Sequence, residues 1–241
     1  MMHPLVLAVG KVDIGSHITT KIAGMTVDVD VVAATLISGA ILLGLGFYAR
    51  AKASSGVPGK IQLVFETVVA AVEDLVDSAI GPAGKPIVPL AVTLFLFILI
   101  ANWLEVIPTG YPKELLGAPT GDVNLPYAMA IFVIVLVHVA SVRARGLKGY
   151  AGHYFKPFKV LLPINVIEEI TKPITLSLRL FGNMFAGGLM VALIGLLPVY
   201  VVPGGDIIWK LFDMFIGFIQ AFIFALLTVV YFGIAMDTES H

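Results

Sequence analysis

The 241-residue sequence contains no cysteine. That excludes a disulfide framework, a thiol nucleophile and any cysteine-ligated metal, and it leaves the redox compartment unmarked. Charge is scarce as well. Asp, Glu, Lys and Arg make up 13% of the chain, about half of what a soluble domain carries. With 59% of its residues hydrophobic, the chain reads as an integral membrane protein, and its formal net charge of −1 points to no particular partner. Several motifs are missing too. GPAGKP, residues 81–86, has the wrong spacing for a phosphate loop and a proline where the helix should begin. Neither HExxH nor GxSxG nor a nucleic-acid motif occurs, so no bound nucleotide, metal, cofactor or nucleic acid is expected. The N-terminal stretch has only a short apolar run, Pro4 to Gly10, with no basic region before it. No secretory signal is expected there, and insertion falls to the internal apolar helices.

Five apolar runs are long enough to cross ~30 Å of hydrocarbon: about 31–49, 87–107, 126–142, 162–200 and 207–236. The sequence predicts an all-α integral membrane protein, a single domain over 1–241, with five transmembrane helices and one amphipathic interfacial helix. Residues 1–30 form an N-terminal segment outside the membrane. The fourth run is too long for a perpendicular crossing, so it must tilt, bend or break, with Pro173, Gly182, Gly187 and Gly188 as the places to do so. Residues 162–236 then form a long, tilted hairpin turning at Pro203-Gly204-Gly205. Between 59 and 80, Gln62, Glu66, Glu73 and Asp77 share one face, as expected of a helix on the inner membrane surface, against a partner, or packed on the bundle. No internal repeat is visible, which weighs against inverted-repeat transporters.

Lysine and arginine collect after the first run (Arg50, Lys52, Lys60) and after the third (Arg143, Arg145, Lys148, Lys156, Lys159). The stretch 108–126 has only Lys113, and the Pro-Gly-Gly region has none. By the positive-inside rule the N-terminus is outside and the C-terminus cytoplasmic, as five crossings require.

Polar residues inside the apolar runs carry the functional signal. On the fourth, Glu168 (with Glu169 beside it), Lys172, Thr175, Arg179 and Asn183 follow at steps of four, three, four and four, and Gly187 continues the series. They read as one wall of a hydrated cleft. Glu168 and Lys172 could equally mark the interfacial start of the helix. Arg179 is too deep for that, and a guanidinium at mid-bilayer costs at least about 2.5–3.5 kcal/mol. The last run has Asp213 and Gln220, seven residues apart and on one face. A titrating carboxylate beside a water-orienting amide suggests a proton path from the outer surface; the competing reading makes Asp213 a helix start paired with Lys210. Asn102 and Glu105 lie near the same surface; His138 inside the third run could carry a proton, but a lone histidine is more often a hydrogen-bonded packing residue, and it stays outside the expected set.

The run KPITLSLRLFGNMFAG, residues 172–187, together with IQAFIFALLTVVYFGIAM, residues 219–236, resembles subunit a of the F-type ATP synthase. ANWLEVIP and the amphipathic helix extend the resemblance to nearly the whole chain. It implies a non-catalytic stator subunit in the bacterial inner membrane, packed against a ring of c subunits and joined by b-type peripheral-stalk and other synthase subunits. It also implies two offset proton half-channels, with Arg179 facing the ring carboxylates and Asn183, Gln220 and Glu105 at half-channel positions. The expected proton-translocation set is thus Arg179, Asn183, Gln220, Asp213, Glu105, Glu168 and Glu169. Many bacterial members have glutamate where this sequence has Gly188 and histidine where it has Asp213. The alternative function is a stand-alone ion channel or secondary transporter.

Overall fold

The computed structural model describes residues 19–22, 25–54, 58–104, 106, 119–153, 160 and 162–236. Residues 1–18, Glu105, the stretch 107–118, Lys156, Lys159 and the last five residues, all used in the sequence reading, lie outside them.

A short antiparallel hairpin, β1 (Thr19–Ile22) and β2 (Met25–Asp28), pairs Thr19 with Asp28 and leads directly into α1 (Val29–Lys52). This small sheet is an addition to the all-helical expectation. There follow α2 (Lys60–Ala79), a 3-10 stretch Gly81–Ile87, α3 (Val88–Leu104), a 3-10 turn Pro119–Gly121, α4 (Asn124–His153), α5 (Leu162–Ile194) and α6 (Val202–Met236). Five of these spans are long and apolar enough to cross a membrane, and α2 is the sixth, amphipathic helix.

The core lies where α3, α4, α5 and α6 meet. Ile98, Val133, Leu176, Leu180 and Phe224 are essentially inaccessible there. α3 has almost no polar face and is the most enclosed span, which its near-continuous apolar sequence anticipates. α2 packs Val72 and Val76 onto Val88, Ala91 and Val92 of α3 and Val229 of α6, leaving Glu66, Glu73 and Asp77 exposed. Gln62 tethers its start, accepting a hydrogen bond from the Ser54 amide at 3.2 Å and donating to the Ser54 carbonyl at 3.1 Å.

Three boundaries differ from expectation. The fourth span ends at Ile194, not 200, and runs through Pro173 unbroken. Loss of the one backbone hydrogen bond that Pro173 cannot donate to the Glu169 carbonyl is tolerable in a helix held by neighbours. Thirty-three residues at ~1.5 Å each exceed the ~30 Å core, so tilt rather than breakage accommodates α5. The chain reverses at 195–201, and Pro203-Gly204-Gly205 is the first turn of α6, where a proline sacrifices no helical hydrogen bond. In α4, Gly146 has φ 71°, a conformation glycine alone adopts cheaply, and the helix turns aside there as the basic residues begin.

Candidate functional site

The antiparallel pairing of α5 with α6 sets up the site. Successive levels bring Gly187 against Asp213, Asn183 against Gln220 and Lys172 against Tyr231.

At the first level the space belongs to Asp213. A Cβ added at Gly187 would stand 2.8 Å from Asp213 Oδ1, so glycine is what lets the carboxylate lie against α5. Trp209 Nε1 donates to the Gly187 carbonyl at 3.1 Å and braces the same contact. Asp213 is about three turns past Val202, and Lys210 pairs with Asp206 at 3.9 Å. It is therefore neither a cap nor the partner of Lys210. Gly188 has nothing within 4 Å of where its side chain would be.

At the second level Asn183 Nδ2 donates to Gln220 Oε1 at 2.7 Å, and Gln220 is buried. A separate pair of bonds ties α3 to α6 beside it: Asn102 Nδ2 donates to the Gly217 carbonyl at 3.1 Å, and Thr120 Oγ1 donates to Asn102 Oδ1 at 2.7 Å. Gly217 is needed here, because a Cβ would lie 3.1 Å from that of Asn102. Trp103 Nε1, donating to the Met214 carbonyl at 3.1 Å, fixes the end of α3 to the same part of α6. Glu105 lies outside the described residues.

Below this the interface turns apolar. Leu176, Leu180 and Phe224 are 0–1% exposed and form a dry belt. Beyond the belt is a second polar cluster between α4, α5 and α6. A cavity of ≈ 40 Å³, room for ordered water, is lined by His138, Arg145, Tyr150, Glu169, Lys172 and Tyr231. Lys172 Nζ bonds Glu169 Oε2 and lies 5.7 Å from the Tyr231 ring centre, and His138 Nδ1 is 3.8 Å from Glu169 Oε1. Arg145 Nη2 donates to the Ile234 carbonyl at 2.7 Å, capping the end of α6. Glu168, next in sequence to Glu169, is exposed instead.

Arg179 stands level with the belt but points away from it. It is exposed, and among the described residues it makes no hydrogen bond or ion pair. Its surroundings on α5, namely Thr175, Leu178, Gly182, Phe185 and Ala186, are exposed too. The polar series read from the sequence is thus not one straight wall. Eight residues at 3.6 per turn overshoot two turns by about 80°, which carries Gly187 round to the buried side while Arg179 remains outside. The same arithmetic brings Glu169 inward and leaves Glu168 out.

Of the sequence candidates, the structure hydrogen-bonds Asn183 to Gln220, sets Asp213 against Gly187 further along the same α5–α6 seam, and sets Glu169 in a separate cavity. His138, Tyr231 and Arg145 were missed as members of that cavity. Their signal in the sequence was weak, since a single polar residue on each of three elements shows no spacing until the helices pack.

Residues 32–233 match the family model described as ATP synthase A chain. The chain belongs to that family. It is 51% identical to "ATP synthase subunit a" of Acidothermus cellulolyticus over 99% of this chain and 88% of that protein. It is 49% identical to the Mycobacterium bovis protein of the same name, over 96% of each chain, and 36% identical to that of Aeromonas salmonicida, over 93% of each. The ATP synthase A chain model spans all the helices of the site, from α1 to Gly233 in α6.

Proposed function

We propose that the chain is the stator subunit a of a rotary F-type ATP synthase and carries the two proton half-channels and the arginine that couple proton flow to ring rotation. The observation behind this reading is the division of the α5–α6 interface. Two polar clusters, Asp213 with Asn183 and Gln220 on one side and His138, Glu169, Lys172 and Tyr231 on the other, are separated by the dry belt of Leu176, Leu180 and Phe224. Arg179 lies between the two on the free face of α5. A proton cannot cross a dry apolar belt within the chain, so transfer between the clusters needs a carrier passing along that face. A ring of helices with carboxylates at this depth is such a carrier.

With the basic loops inside, the Asp213 cluster opens outward and the Glu169 cluster inward. The N-terminus is then outside and the C-terminus cytoplasmic, in the bacterial inner membrane. Asp213 accepts a proton from the outer side; Asn183 and Gln220 order water towards the ring; the ring carboxylate carries the proton round and releases it to the inner cavity. Arg179 favours the ionised carboxylate as it arrives and repels a proton leaking directly between clusters. In this reading the chain is the non-catalytic, proton-translocating subunit, and ATP is made by other subunits of the complex. The c-ring, b-type stalk subunits and remaining synthase subunits are its partners, and Glu105 and Glu168 act at the outer and inner mouths.

The tight fit at Gly187 provides a test. Gly187→Ala is expected to displace the Asp213 carboxylate and slow ATP synthesis in inverted vesicles roughly tenfold, a figure typical of a modestly misplaced proton-transfer group. Gly188→Ala, which enters open space, is expected to behave as wild type. Equal rates for the two variants would count against the outer half of this path.

A further inference from the structure

We propose that His138 and Glu169, facing each other across the α4–α5 interface, form a proton-exchange pair that sets the rate of proton release at the inner outlet. The inference rests on the stator reading above and gives a partner and a place in the path to a histidine that the sequence alone leaves as a packing residue or an isolated carrier.

Two side chains hold His138 at the cavity. Glu169 Oε1 is 3.8 Å from its Nδ1. The Tyr150 ring meets it edge-on at 5.9 Å between centres. Twelve residues of straight helix would put those rings about 18 Å apart, so the left-handed turn at Gly146 is what folds Tyr150 back over the imidazole. The cavity beside them is large enough for water.

The charges around the pair are those of a transient site. From α4 come Arg145, engaged with the Ile234 carbonyl, and Tyr150. From α5 come Glu169 and Lys172, already bonded to each other, with Glu168 and Arg179 on the outer face. From α6 comes Tyr231 under the Lys172 ammonium. A proton leaving the ring carboxylate through cavity water binds His138 Nδ1, making the imidazolium, and then leaves to inner water, restoring the neutral ring. Histidine suits this exchange because its charge changes within the physiological range. Lys172 is a positioning residue that holds the carboxylate towards α4.

The test uses the intact synthase in proteoliposomes with its catalytic head outward. ATP synthesis is driven by a fixed lumen pH and potential, while the external pH, which the inner outlet faces, is varied. Wild type is expected to show a step in rate across the histidine range, and His138→Gln to lose that step and run severalfold slower at its alkaline side. Glu169→Gln should shift or remove the same step, and the double variant should resemble His138→Gln alone. A His138→Gln profile superimposable on wild type overturns the proposal. Should His138→Gln not assemble, wild type and Glu169→Gln decide: no step in wild type, or an unaltered step in Glu169→Gln, overturns it. Arg179→Ala, run alongside, separates the two levels of inference. Synthesis persisting in Arg179→Ala means the stator reading has failed, whereas its loss together with an unchanged His138→Gln profile means that only the outlet assignment has.

Discussion

Replacing Arg179 with alanine is expected to abolish proton-driven ATP synthesis in inverted membrane vesicles while the complex still assembles. The expectation comes from where the guanidinium sits. It is on an exposed, largely apolar face of α5, level with a dry belt and with no hydrogen bond or ion pair among the described residues. Such placement costs about 2.5–3.5 kcal/mol or more in a bilayer, and on the proposed reading a ring carboxylate that comes to meet it offsets that cost. Removing the charge has two effects. On the proposed reading, the ring carboxylate then lacks the group that favours its ionised form, so inward proton release is expected to stop, and the electrostatic barrier between the two polar clusters is expected to fall. Lysine should not restore full function, because an ammonium lacks the fork that grips a carboxylate and can lose its charge when desolvated. Packing around Leu176, Leu180 and Phe224 does not involve this side chain, so assembly, measured by the amount of subunit recovered with the complex, should be unaffected. Wild-type synthesis in Arg179→Ala would contradict the coupling role.

The next largest effect is expected from Asp213→Asn. Asparagine keeps the size and shape of the carboxyl group, so the contact with Gly187 and the Trp209 brace survive. What is lost is the ability to take up and pass on a proton. If Asp213 is the entry group, synthesis should fall by roughly 100-fold, the lower end of what a positioned acid–base group contributes. Raising the driving force would recover only part of it, because each charge moved through 100 mV supplies about 2.3 kcal/mol without creating a new relay. Gln220 and Asn183 cannot substitute, since amides orient water but do not titrate. A wild-type rate in Asp213→Asn would reduce the residue to a packing element against Gly187.

Much of this architecture was legible in the sequence because hydrophobic length is a strong signal. Five spans and an amphipathic helix appear at the predicted places, with boundaries shifted by a few residues at most sites. The errors have specific causes. Pro173 and Pro203-Gly204-Gly205 read as breaks on local propensity, yet tertiary packing carries α5 through the first, and the helix start absorbs the second. The polar series on α5 read as a single face because each step of three or four residues is near one turn, while the accumulated rotation is not. That rotation decides which residues look outward to a partner and which look into the bundle. It separates Arg179 from Gly187; the single ~100° step between neighbours separates Glu168 from Glu169. The inner cavity was harder still: His138, Glu169 and Tyr231 come from three helices, and no spacing within one segment announces such a meeting. Gly187 illustrates the converse. In the sequence it only continues the polar series, and its function as the space for Asp213 emerges once α6 is packed against α5.

The absence of cysteine makes the central claim directly measurable, because thiol cross-linking from this chain has no background. Single cysteines at Leu178, Gly182 or Ala186 lie on the exposed face beside Arg179, whereas cysteines at Leu176, Leu180 or Met184 lie in the buried core. Each would be paired with a cysteine placed one helical turn from the carboxylate of the ring subunit and oxidised in native membranes. Cross-links to the ring from the first set and none from the second are the predicted result. Cross-links absent from the exposed face, with the ring present in the complex, would contradict the assignment of Arg179 as the residue that meets the passing carboxylate.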